Sequence, residues 1–142
     1  MQEYIDFFTN NPMLSVAWIV IAGMLVNMTI KSKFSKIKNI DAQEAVILMN
    51  KQDALVVDIR TAEDFKKGHI IDAKNIPVSQ IYKGSFSAIE NSKNKPIIVV
   101  CDTGTRSSGA ANKLFKAGFE DVYNLASGMG GWLSANLPTT KK

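Results

Sequence analysis

The sequence predicts an α/β domain, a parallel sheet flanked by helices, preceded by a single N-terminal transmembrane helix. Three observations predict it. Two short and nearly continuous apolar runs, Ala54–Ile59 and Pro96–Cys101, read as strands covered on both faces. Strand-like and helix-like segments alternate between residue 38 and Pro138, the order expected of parallel strands with crossover helices. Residues 12–30 contain no charged side chain, and 19 residues at helical rise reach about 28 Å, close to one hydrocarbon core.

Taken in order, residues 1–11 form a short N-terminal segment and residues 12–30 the predicted span. A cleaved signal peptide requires a basic start, a shorter apolar region and a small-residue cleavage site. None is present: Glu3 and Asp6 precede the apolar stretch, whereas Lys31, Lys33, Lys36 and Lys38 follow it. That asymmetry orients the span with its N-terminus outside and the remainder in the cytoplasm. Asn27 is the one strongly polar side chain of the span; near its cytoplasmic end it meets headgroups and water, or bonds a second membrane helix beside Gly23. Residues 31–38 are a basic tether too short to hold the domain, residues 39–138, far from the bilayer.

Within the domain, a first strand ends at Ile40, and Asp41 with Glu44 forms a capping-box pattern that starts a helix. The strand Ala54–Ile59 precedes a short helix at Ala62–Lys67, a strand beginning at Ala73–Pro77 and a helix at Ser85–Asn91. The strand Pro96–Cys101 leads to a helix at Ser107–Ala117, closed by Gly118 at the C′ position. A strand at Asp121–Leu125, a final helix at Gly130–Asn136 and a tail at residues 139–142 complete the chain.

The formal net charge of +4 is unevenly spread. Residues 1–30 carry two acids and no bases, and the four lysines after the span account for most of the basic excess. Such a cluster suits anionic lipid headgroups. No aromatic-interleaved basic patch points to nucleic acid. A single cysteine excludes an internal disulfide and fits a reducing compartment.

That cysteine, Cys101, stands where an apolar strand meets the polar loop Asp102, Thr103, Gly104, Thr105 and Arg106 before a helix. The helix start aims free N–H groups and its positive end at the loop, and Arg106 is placed to lower the thiol pKa and hold an anion. A lone cysteine at a strand end is more often a small buried apolar group; Gly104, Arg106 and the helix behind it favour the reactive reading.

The run Cys101–Ser107 resembles the Cys-x-x-Gly-x-Arg-Ser loop of rhodanese-like domains. Three further segments follow in that family's order: Val57–Arg60, Asp64–Ile70 and Leu125–Trp132, the last with Ser127 where the family usually has Gly. The resemblance covers about residues 38–137. With its anchor, the whole chain is similar to bacterial membrane-anchored single-domain rhodanese-like proteins, which implies a single-pass protein of the bacterial inner membrane.

The resemblance implies a sulfurtransferase in which Cys101 becomes a persulfide, with residues 102–107 cradling the substrate and no metal or organic cofactor. Thiosulfate or a persulfide is the implied donor and a thiol the acceptor. The carboxylate of Asp102 beside an incoming dianion disfavours thiosulfate. Phosphatases and arsenate reductases of related fold place five residues between Cys and Arg; four stand here, a tighter cradle that suits sulfur better. Asp58, Arg60 and the only histidine, His69, are expected to form a supporting polar network rather than to act on substrate, and Trp132 to pack into the core. The alternative function is a membrane-tethered module that binds other membrane proteins with little or no catalysis.

Overall fold

The computed structural model describes residues 1–34 and 37–141, without the side chains of residues 4, 5, 9 and 29–34. It comprises two compact units, Met1–Lys36 and Ile37–Lys142.

In the first unit, α1 (Gln2–Asn10) and α2 (Pro12–Phe34) are separated by a break at Asn11. Pro12 opens α2 at the position where its missing N–H costs nothing. Ser15 donates from Oγ to the carbonyls of Asn11 and Phe8, at 2.9 and 3.2 Å, and so ties the two helices. Helix α1 is not foreseen by the sequence pattern of residues 1–11. The predicted span, 12–30, ends on residues 29 and 30, whose side chains lie outside those described, as do residues 31–36 of the tether expected at 31–38; the last residue of that tether, Lys38, opens a strand instead. Among the described residues no helix is long and apolar enough to cross a membrane.

The second unit carries a five-stranded parallel sheet in the order β1-β6-β5-β2-β4. Its strands are β1 (Lys38–Ile40), β2 (Leu55–Asp58), β4 (Lys74–Asn75), β5 (Ile97–Val100) and β6 (Val122–Leu125). Strand β5, at the centre, is buried along its whole length. Its side chains alternate between two cores, as a pleated strand requires. Ile97 and Val99 pack with Val57, Ile81, Leu114 and Phe119 on one face; Ile98 and Val100 pack with Val56, Ala45, Met129 and Trp132 on the other.

Helices α5 (Val78–Lys83) and α6 (Thr105–Lys116) cover the first face, and α3 (Ala42–Gln52) and α7 (Gly128–Ser134) the second. Asp41 caps α3 with the foreseen reciprocal bonds to Glu44, 2.8 and 3.0 Å. Helix α6 ends as expected at Gly118, whose φ of 101° allows the N–H groups of Gly118 and Phe119 to return to Phe115 and Leu114. Helix α4 (Ala62–Lys67) leads into β3 (His69–Ile70), which pairs antiparallel with β7 (Thr139–Thr140).

The helix expected at Ser85–Asn91 is not formed. Helix α5 lies earlier and is stopped by Gly84 in the left-handed region, φ 81°. Only a single 3₁₀ turn, Glu90–Ser92, follows, because Phe86 and Ile89 reach the core from a turn rather than along a helical stripe. Helices α6 and α7 each begin two residues earlier than their sequence patterns indicate, for reasons that lie in the loop after β5.

Candidate active site

Cys101 follows β5 at the C-terminal edge of the sheet, the edge at which parallel sheets bind ligands. The chain turns sharply over the sulfur because Gly104 adopts φ 90° and ψ −6° at the N-cap of α6. A side chain there would set its Cβ 1.9 Å from the Ala126 carbonyl oxygen. The turn brings the Gly104 N–H to 3.0 Å from Cys101 Sγ. Helix α6 therefore starts at Thr105, with its open N–H groups facing back toward the loop.

The closing segment holds this loop from the other side. Met129 and Gly130 donate their N–H groups to the carbonyls of Cys101 and Asp102, at 2.8 and 3.1 Å. Those bonds place Met129 and Gly130 in the first turn of α7, which explains its early start. Gly128, at φ 55°, lies so close that a Cβ would meet the Cys101 oxygen at 2.4 Å. Ser127 has an ordinary φ of −98° and needs no glycine. Trp132 is buried and donates to the Pro138 carbonyl at 3.0 Å, the core role expected of it.

Cys101 is only 1% exposed, and burial alone pushes its thiol pKa up. A hydrogen bond with the Ser107 hydroxyl, and the backbone N–H groups of Ser107, Gly104 and Thr103, outweigh burial and bring it below the ordinary value. An inert buried cysteine has no such shell. Arg106 is not among the groups that lower the thiol: its guanidinium bonds Asp102 at 3.0 Å, and both side chains are about half exposed. The donors that lower the thiol are neutral, and Arg106 sits with Asp102 on the rim beside them.

Asp102 also lies 3.9 Å from Arg60. Arg60 is buried, bonds both carboxylate oxygens of Asp58, at 2.7 to 3.1 Å, and reaches the Gly68 carbonyl at 2.8 Å. Burial pulls its pKa down, and Asp58, Asp102 and Asp64 together hold it higher still. Asp58 and Arg60 thus join β2, the loop before β3 and the rim of the site in one set of polar contacts. His69 is buried, stacks on Phe65 at 3.7 Å between ring centroids and bonds the Phe65 carbonyl through Nδ1 at 2.7 Å. Both contacts lie within the turn from α4 to β3.

Residues 41–135 match the rhodanese-like domain family. The chain belongs to it. It is 43% identical to Escherichia coli YibN over 141 residues, 99% of each chain. It is also 34% identical over 98 residues to the thiosulfate sulfurtransferase GlpE of Pseudoalteromonas translucida, covering 69% of this chain and 90% of that one. The crystal structure of a rhodanese-related protein from Thermoplasma volcanium superposes with a TM-score of 0.65 at 24% identity, covering 74% of this chain and 99% of the other.

Within this rhodanese-like domain the loop residues named from sequence divide into two sets. Cys101, Gly104 and Ser107 are buried around the sulfur, whereas Asp102, Thr103, Thr105 and Arg106 are exposed on the rim. Among the described residues, no group of three or more His, Cys, Asp or Glu side chains is placed to hold a metal ion. Sequence reasoning missed Asn124 of β6. It is 3% exposed, accepts the Ser107 hydroxyl proton on Oδ1, and donates from Nδ2 to Asn39 Oδ1 at 2.8 Å and to the Gly104 carbonyl at 3.1 Å. The one available signal was a polar residue interrupting the apolar strand Val122–Leu125.

Proposed function

We propose that this protein is a sulfurtransferase that carries sulfane sulfur as a persulfide on Cys101, anchored at a membrane by its N-terminal segment. The observation that carries the reading is the Cys101 sulfur set on backbone N–H groups and the Ser107 hydroxyl at the sheet edge. The thiolate attacks the outer sulfur of a donor persulfide, R–S–SH; the S–S bond breaks, and R–SH leaves with Cys101–S–S⁻ formed. An acceptor thiolate then attacks the outer sulfur of the protonated persulfide and restores the Cys101 thiolate, with no net oxidation. The chain has one cysteine, so the acceptor is a separate molecule. Fixed N–H donors stabilise the anion at both stages without rearranging.

Asp102 shapes the choice of donor. It occupies Arg106 and approaches Arg60, so the rim presents two guanidiniums already shared with a carboxylate. Such a rim favours a monoanionic persulfide over dianionic thiosulfate.

Membrane anchoring draws its support from α2. Met13, Leu14, Val16, Trp18, Ile19 and Met24 are more than half exposed, and apolar side chains occupy every face of its described part. A helix apolar all round belongs in lipid or in a core. The following lysines favour an N-terminus outside and the catalytic domain in the cytoplasm.

Intact mass spectrometry of the full-length, detergent-solubilised protein, incubated with persulfide donors and with thiosulfate, tests the chemistry. The expected result is a reducible gain of one sulfur atom on the wild type and none on Cys101→Ser. Failure of every donor to load the folded wild type would remove the enzymatic reading and leave membrane-protein recruitment by α2 in its place.

A further inference from the structure

We propose that Asn124 is a positioning residue that governs the ionisation of Cys101 by competing with the sulfur for the single proton of the Ser107 hydroxyl. The inference deepens the persulfide reading for its consequence, but its test reads the thiol itself and needs no sulfur transfer.

The hydrogen inventory leads to this competition. The carbonyl of Gly104 can only accept, so the amide group of Asn124 that faces it at 3.1 Å is Nδ2. Its other proton goes to Asn39 Oδ1 at 2.8 Å. The orientation is thereby set, and Oδ1 faces Ser107 Oγ, whose proton it accepts. In the thiol state Cys101 donates to the same Oγ at 3.3 Å, so a chain runs Cys101 to Ser107 to Asn124 with each donor matched. Ser107 is wholly buried and Asn124 almost so, and no buried side-chain nitrogen or oxygen among the described residues lacks a partner.

Ionisation removes one proton from a chain that had none to spare. A thiolate only accepts. Either the Ser107 proton stays on Asn124 and the sulfur keeps its backbone donors alone, or the hydroxyl turns to the sulfur and leaves Asn124 Oδ1 buried without a donor. Both outcomes cost free energy comparable to one buried hydrogen bond, so Asn124 holds the thiol back from full activation. Once the persulfide forms, the inner sulfur is neutral and divalent, and the hydroxyl proton returns to Asn124. Ser107 thus has two discrete orientations, matched to the resting thiol and persulfide on one side and to the attacking thiolate on the other.

The test is the pH dependence of Cys101 alkylation by iodoacetamide, followed by intact mass on the full-length protein. Four proteins form a cycle that isolates the contribution relayed by the hydroxyl: wild type, Asn124→Leu, Ser107→Ala and the double variant. Among the described residues, Asp58 and Arg60 from β2 and the loop after it, Asp102 on the loop after β5 and Arg106 in the first turn of α6 are the charged groups beside the site; they pair with one another and are unchanged in all four. Asn124→Leu is expected to lower the alkylation midpoint by about half a pH unit or more with Ser107 present, and to leave it in place in the Ser107→Ala background.

An unchanged or raised midpoint, or an equal shift in both backgrounds, would overturn the proposal. Should Asn124→Leu fail to fold, Asn124→Asp decides. Its carboxylate grips the hydroxyl proton harder, so the midpoint must rise more with Ser107 present than in the Ser107→Ala background, and an equal rise refutes the relay. Asn39→Ala removes only the outer bond and is expected to leave the midpoint unchanged. A positive cycle with no sulfur loading would defeat the sulfurtransferase reading while leaving the role of Asn124 intact.

Discussion

The inner and outer residues of the loop from Cys101 to Ser107 are built on opposite electrostatic plans. Cys101, Gly104 and Ser107 are buried and, apart from the sulfur, neutral; Asp102 and Arg106 are charged and half exposed. Inside, the sulfur is stabilised by short-range dipoles that solvent and salt do not screen. Outside, a carboxylate shared by Arg60 and Arg106 meets whatever approaches. The contrast separates two properties that a sequence motif merges: how readily the thiol ionises, and which anion is admitted to it.

Changes on either side of that division sharpen or break it. The largest effect is expected at the joint between them, where Arg60→Ala leaves Asp58 buried with no counter-charge. A loss of about 3–5 kcal/mol is expected, read by chemical denaturation of the full chain, and a loss under about 1 kcal/mol would mean the pair contributes little. Gly104→Ala comes next. A left-handed φ and the Ala126 carbonyl both oppose a Cβ, so a cost of roughly 2–4 kcal/mol is expected. The same variant is expected to raise the alkylation midpoint, since the Gly104 N–H leaves the sulfur.

The smallest change belongs to the rim. Asp102→Asn frees Arg106 and is expected to speed sulfur loading from thiosulfate by roughly two- to five-fold, the scale of an exposed ion pair. Loading from a monoanionic persulfide is expected to stay within about two-fold, and the alkylation midpoint to stay where it is. A shift of the midpoint in this variant would show that the rim also governs ionisation.

Much of the fold was legible because it depends on local chemistry. The apolar runs at β2 and β5 mark strands buried on both faces, and Asp41 and Gly118 mark helix ends through their own backbone geometry. Where sequence reading failed, a distant segment or a stop in an unexpected place decided the outcome. Helix α7 starts at Gly128 because its first turn donates to the carbonyls of Cys101 and Asp102. Residues 85–91 form no α-helix, the Gly84 stop coming before them and not after.

The site divides the same way. Cys101, Gly104 and Ser107 were recognisable from spacing, since one turn and one helix start bring them together. The loop pattern points Arg106 at the sulfur, whereas its i,i+4 spacing from Asp102 is the signal that the carboxylate captures it. Asn124 shows in the sequence only as a polar residue in an apolar strand, because its partners come from separate places in the chain, one of them Asn39, 85 residues away.

The most direct test of the account is the alkylation midpoint of Cys101 in the wild-type protein, measured against a free thiol under the same conditions and at low and high salt. The expected midpoint lies below that of the free thiol and is nearly independent of salt, because buried neutral donors set it. A midpoint at or above that of the free thiol would contradict the activation of Cys101, and one that climbs with salt would return the role to Arg106.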